Sequence, residues 1–275
     1  MKTTFIEKSG IMAVLFTALL FIFPKNINIP NVSDLFTATT VLFAILTGFF
    51  IAAVLSNYFR LQSLIAEETS LWCSFYEVSI TIKPKIKAEL GLAIDNYLRA
   101  AFDFELSEYV GKTWDEFDKA MKVTNRIRKT DTNMYVFLLG IKGDLKKTRQ
   151  EIFLTARKIM ERNHWLTLII LATIIIFLVY AMRPLGVTDS ILTVLISSVT
   201  CLVLFLLYDI DGNIFAEEKL AFSSFERAFK EIGKLPYYPE ESIKSGRVKP
   251  KGKYRVGVLL NKETLKREIH MVEFK

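Results

Sequence analysis

LFTATTVLFAILTGFFIAAVLSNYF, residues 35–59, carries no charged side chain from Leu35 to Phe59. A helix needs about 20 apolar residues to cross the roughly 30 Å hydrocarbon core of a bilayer, and this stretch exceeds that. No proline occurs in it, and after Gly48 no glycine. The chain then enters Arg60-Leu-Gln-Ser-Leu-Ile-Ala-Glu-Glu without a stop signal. Leu61, Leu64, Ile65, Leu71, Trp72, Phe75 and Val78 follow at helical spacing, so the pattern predicts one helix running from the membrane into water. Lys83-Pro84 should end it, because proline lacks an amide donor and keeps its predecessor out of the helical region.

Three further uncharged stretches occur at Ser9–Pro24, Asn163–Met182 and Ser190–Tyr208. If all four cross, 34 of the 36 Lys and Arg residues lie on one side, and only Lys25 and Arg183 on the other. Basic segments near a membrane are retained in the cytoplasm, which predicts a multi-pass cell-membrane protein with both termini cytosolic. Lys2 and Lys8 before Ile11–Phe23 resemble the start of a signal peptide. No small-residue cleavage site follows, so the expectation is a retained anchor.

The expected organisation is a first transmembrane hairpin over 1–59, a cytosolic helical region over 60–162 and a second transmembrane hairpin over 163–211. A cytosolic helix over 212–234 and a C-terminal linker and β-hairpin over 235–275 complete it. Helices are expected at 86–104 and 113–128, and 145–162 should continue into the third span. Residues 217–232 read as an amphipathic helix ending at Gly233. Leu235–Pro239 reads as a stiff linker, and the alternation Tyr254, Val256, Val258, Leu260 predicts the first strand of the hairpin. The fold class is all-α membrane protein, with four transmembrane helices continuing into a cytosolic helical bundle and a small C-terminal β-hairpin. The motif Ala66-Glu-Glu…Ser74-Phe75 recurs at the same spacing as Ala216-Glu-Glu…Ser224-Phe225; duplication suits the two-hairpin plan, but so short a match arises by chance more readily.

Net charge is +7, yet the 60–162 block sets 15 acids against 18 bases. The membrane-side bias accounts for the excess, and no nucleic-acid motif accompanies it, so no nucleic-acid partner is expected. An enzyme is not expected either. His164 and His270 lack metal-ligand spacing, and no glycine-rich phosphate loop is present. Cys73 and Cys201 are not expected to pair. No charge interrupts a span, which weakens a proton- or ion-coupled carrier. Ser and Thr within the spans should bond back to their own helices.

Val41, Ile45 and Phe49 lie four apart on one helix face. Around a symmetry axis they would form stacked apolar rings, with Thr37 and Thr47 as polar pore-lining candidates. Lipid-facing or neighbour-facing residues give the same spacing. The segment Val41-x-x-x-Ile45-x-x-Gly48-Phe49 resembles the neck of bestrophin-type channels, and the order of spans, helical insert, spans and tail is similar over roughly residues 1–232. Phe50 and Ile51 stand where those channels carry polar or basic residues. The prokaryotic bestrophin-like membrane proteins are the more similar branch. The resemblance implies a homo-oligomer, a pentamer in that family, passing inorganic ions through a neck at Val41, Ile45 and Phe49.

Asp209-Ile-Asp211-Gly-Asn213 alternates oxygen ligands around a glycine, as a calcium loop begins, and animal bestrophins place a calcium clasp after their fourth span. Asp209, Asp211 and Asn213 are therefore candidate calcium ligands, although helix termination explains the same residues. No other cofactor is expected. The reading is an oligomeric bestrophin-like ion channel in membrane lipid, with anions mildly favoured by the inner basic excess. Its alternative is a non-conducting scaffold or sensor whose cytosolic helices bind a partner. In a third reading, the basic stretch Lys244–Arg255 lies on anionic headgroups.

Overall fold

The computed structural model describes residues 5–23, 30–104, 108–127, 132–157, 159–184, 186–212, 220–246, 248–261 and 266–273. Ten helices are described: α1 (Phe5–Ile22), α2 (Val32–Ile82), α3 (Lys87–Phe102), α4 (Tyr109–Lys112), α5 (Trp114–Val123), α6 (Thr132–Thr155), α7 (Arg162–Ala181), α8 (Val187–Asp211), α9 (Leu220–Glu231) and α10 (Glu240–Lys244). Strands β1 (Tyr237–Pro239), β2 (Lys253–Asn261) and β3 (Lys266–Glu273) form one small sheet. The protein is mostly helical. Helices α2, α7 and α8 are long and apolar enough to cross a membrane, whereas the apolar part of α1, Ser9–Ile22, is shorter.

As the sequence predicts, α2 is unbroken for 51 residues and stops at Lys83. Lys83 adopts φ −142°, ψ 83°, outside the helical region as its proline neighbour requires, and Pro84 opens a single 3-10 turn leading into α3. The chain divides into two units, one of residues 1–56 and 158–212 and the other of residues 57–157 and 213–275.

In the first unit α8 packs against α1 and α7. Tyr180 donates to the carbonyl of Phe16 at 2.6 Å, and Phe23 sets its ring edge-on to Phe177 and Tyr180. Arg183 is buried and points both terminal guanidinium nitrogens at the carbonyl of Leu20, 3.3 and 3.4 Å away. A cation there satisfies a carbonyl in the last turn of α1 and complements its negative end. The expected back-bonding occurs at Thr39, Thr193, Ser197 and Thr200, each donating to the carbonyl four residues earlier.

One expected continuity is absent. Helix α6 ends at Thr155, and α7 begins afresh at Arg162 rather than extending the cytosolic helix into the third span. Glu161 breaks the run with ψ 161° and caps α7, its side chain accepting from the His164 amide while the Glu161 amide donates to His164 Nδ1. Asp211 Oδ1 accepts the amides of Ile159 and Met160 at 3.0 and 3.2 Å. Those two amides, which lie outside any helix, thus find a partner at the end of α8.

The second unit has a dense aromatic core. Trp72 packs on Tyr97, Phe75 and Phe117 with ring centroids 4.9, 5.6 and 5.5 Å away. Leu61, Leu90, Ile94, Leu145, Ile152 and Phe229 are buried with it. The predicted hairpin is present but has a third strand. Tyr237–Pro239, read as a linker, pairs parallel to β2, opposite Arg255–Gly257, while β2 and β3 pair antiparallel. Gly257 is required here, since a Cβ on it would overlap the Tyr237 ring.

Candidate functional site

At 100° per residue the membrane part of α2 separates into two faces. Thr39, Phe43, Thr47 and Val54 are buried. Opposite them, Val41, Ile45 and Phe49 are 51%, 51% and 72% exposed. Thr37 joins the exposed face one turn earlier, its hydroxyl donating to the Ser33 carbonyl at 2.9 Å. Thr47 does not belong with them. It is only 4% exposed, and its hydroxyl has no hydrogen-bond partner among the described residues. Two positions from Ile45 is about 200° around the helix, so Thr47 turns into its own unit and away from the face of Val41, Ile45 and Phe49. Beside the apolar stripe lie exposed small residues four apart, Ala44, Gly48 and Ala52, and a Cβ on Gly48 would meet nothing.

At the end of α8, Asp211 is buried, and one of its oxygens is already engaged by the two amides before α7. Asp209 is on the same last turn, and Asn213 falls outside the described residues. Among the described residues no three His, Cys, Asp or Glu side chains are grouped to hold a metal. The visible role of Asp211 is to hold the loop that starts α7.

Two buried polar networks in the second unit escaped the sequence reading. In the first, Glu68 accepts from Tyr97 and from Tyr109 (2.8 Å). Arg149 donates to the Tyr97 hydroxyl (2.5 Å), the Val110 carbonyl (2.5 Å) and Thr113 (2.9 Å). Its guanidinium lies 4.6 Å over the Phe117 ring. Burial first, and then the Glu68 charge, pushes both tyrosine hydroxyls well above their ordinary range, so they remain neutral donors. A signal existed. Glu68 falls between Ile65 and Trp72, and Arg149 between Leu145 and Ile152, on stripes otherwise apolar.

The second network fastens the sheet to α3. Arg255 on β2 makes a bidentate pair with Asp95 at 2.6 and 2.9 Å, and Arg267 on β3 pairs with Asp103 at 2.9 Å. Tyr237 also donates to Asp103, at 2.9 Å. Asp95 and Arg99 on α3 and Asp103 at its C-cap recur every four residues and form one charged face.

A long apolar helix with two distinct faces, two further candidate spans and a helical unit built on that helix's continuation define a helical membrane protein. The chain belongs to the bestrophin-like family: the bestrophin-like domain matches residues 11–212. Among solved structures it is similar to a bacterial bestrophin homolog from Klebsiella pneumoniae carrying a mutation. That likeness has a TM-score of 0.60 at 11% identity and covers 81% of this chain and 95% of that one. At this identity the likeness is one of fold. No curated protein matches. The family match stops at Gly212, so α9 and the three-stranded sheet lie beyond it.

Proposed function

We propose that the protein is an oligomeric ion channel in which α2 from each protomer faces a common axis. The exposed stripe Val41, Ile45 and Phe49, set opposite the helix's buried face in a bestrophin-like chain, is the observation that carries this reading. Rings of such side chains at a narrow point exclude water and with it ions. Ala44, Gly48 and Ala52 beside the stripe let neighbouring helices approach closely. Thr37 supplies a polar ring one turn before Val41. In this reading α1, α2, α7 and α8 all cross the membrane, both termini are cytosolic, and the inner basic excess favours anions. The assembly is a homo-oligomer, and five protomers is the number the family resemblance suggests.

Two measurements test it. Purified protein in planar bilayers should pass current, and Ile45→Ala with Phe49→Ala should raise unitary conductance by widening the neck. Native mass spectrometry should give a closed oligomer. A stable monomer removes the axis. An intact oligomer without current in either form points instead to a scaffold.

A further inference from the structure

In the second unit, the last turns of α2, the start of α3 and the end of α9 enclose a cleft of about 400 Å³. Lys85, Lys87 and Lys234 line it with Tyr76, Gly91 and Gly233. All three lysines are exposed, and none has an ion-pair partner among the described residues. The nearest acid on the first turn of α3, Glu89, is taken up by Arg126 at 2.9 Å. Pro84 opens the 3-10 turn that leads into α3, and the amides of Ile86 and Lys87 donate to the Lys83 and Pro84 carbonyls, so the lysines surround the positive end of a helix.

An independent feature is Tyr76. Its side chain is only 5% exposed, yet it lines the cleft, and its hydroxyl has no hydrogen-bond partner among the described residues. Burial raises its pKa, so the hydroxyl stays a donor at neutral pH. Lys234 is placed by the end of α9. Gly233 has φ +72°, its amide reaches the Lys230 carbonyl at 3.0 Å, and the Lys234 amide reaches that of Phe229 at 2.8 Å. This pair of bonds, a Schellman cap, turns the chain sharply with glycine at the left-handed position. It leaves those two terminal carbonyls satisfied.

We propose that this cleft binds a phosphate-bearing ligand, held by Lys85, Lys87 and Lys234, the first turn of α3 and the Tyr76 hydroxyl. Cleft volumes of about 300–1,000 Å³ are those of small-molecule sites, so there is room for an organic group beside the phosphate. A phosphorylated solute and a lipid headgroup present the same chemistry.

The test uses the full chain in neutral detergent, titrated calorimetrically with pyrophosphate, and then in nanodiscs with or without phosphatidic acid. Pyrophosphate should bind, and K85Q/K87Q/K234Q should weaken it by at least about tenfold, the loss of one or two charge-assisted hydrogen bonds. Y76F should weaken it by about threefold. K85R/K87R/K234R should retain binding, and unchanged circular dichroism controls for folding. Competition by phosphatidic acid assigns the site to a headgroup, and its absence assigns it to a soluble phosphate. Failure of both probes to bind, or binding unaltered in K85Q/K87Q/K234Q, overturns the proposal.

Discussion

In the unit of residues 1–56 and 158–212, large apolar side chains such as Phe21, Phe49 and Val187 stand on the surface, while Thr39, Ser197 and Thr200 are buried. In the unit of residues 57–157 and 213–275, Trp72, Phe75 and Phe117 are buried, and so are the charges of Glu68, Arg149 and Asp95. The first arrangement suits lipid, where association gains little from burying apolar groups and small polar residues bond within their own helix. The second suits water, where an apolar core forms and a buried charge persists only with a partner. Even so, the first unit holds one buried arginine, Arg183, aimed at a helix-end carbonyl instead of a carboxylate. Each unit solves the desolvation of charge with what its surroundings supply.

The contrast breaks most visibly at Arg149. Arg149→Ala leaves Glu68 buried without its cation, a change that typically costs about 3–5 kcal/mol, whereas replacing both by apolar residues (Glu68→Leu with Arg149→Met) should recover most of it. Unfolding followed by Trp fluorescence measures both, with Trp72 in the same core. Equal losses in the single and double variants would mean that packing, rather than paired charge, sets the cost. Next in size is Arg255→Ala, which removes the bidentate partner of Asp95 and should cost about 2–3 kcal/mol, less because the site is nearer the surface. Hydrogen exchange should then accelerate across Lys253–Asn261 and leave α7 and α8 unchanged.

Alkaline pH sharpens the comparison through the buried tyrosines. Tyr97, Tyr109, Tyr237 and Tyr238 all have hydroxyl pKa values raised above the ordinary 10.0, chiefly by burial. Below pH 10 folded and unfolded forms are both neutral, and the stability is fully present. Above it the unfolded chain releases protons that the folded chain keeps, so stability falls by about 1.4 kcal/mol per pH unit for each such tyrosine. Tyrosinate absorbance should rise together with unfolding, not before it, and Tyr109→Phe should flatten the slope.

Sequence pattern reaches some of this and not the rest, for physical reasons. The length of α2 and its stop at Lys83-Pro84 are legible because apolar periodicity and proline stereochemistry are local. The hairpin is legible from alternation in β2. Strand β1 is not, since three residues pairing in parallel with a distant strand leave no periodic trace. The break before α7 is hidden because residues 145–162 are nearly all helix formers, and the acceptor for the loop's amides, Asp211, lies some fifty positions on. The candidate neck face is legible as a spacing of four. Which apolar face of α2 is buried depends on packing partners that the periodicity of a single helix does not reveal.

The smallest effect makes the finest distinction. Thr47 and Thr37 lie in the same membrane helix, but Thr47 is buried with an unpartnered hydroxyl and Thr37 is exposed beside Val41. Thr47→Val keeps the shape and removes a polar group with no partner, so stability should stay level or rise by up to about 1 kcal/mol. Because its side chain points away from the Ile45 face, conductance should not change. Thr37→Val should leave stability unaltered, since that hydroxyl only bonds back to its own helix, yet it removes a polar ring from the proposed pore and should lower conductance. Bilayer recordings and thermal unfolding of the two variants side by side decide the matter. If Thr47→Val alters current and Thr37→Val does not, the pore lies on the other face of α2, and Val41, Ile45 and Phe49 face lipid.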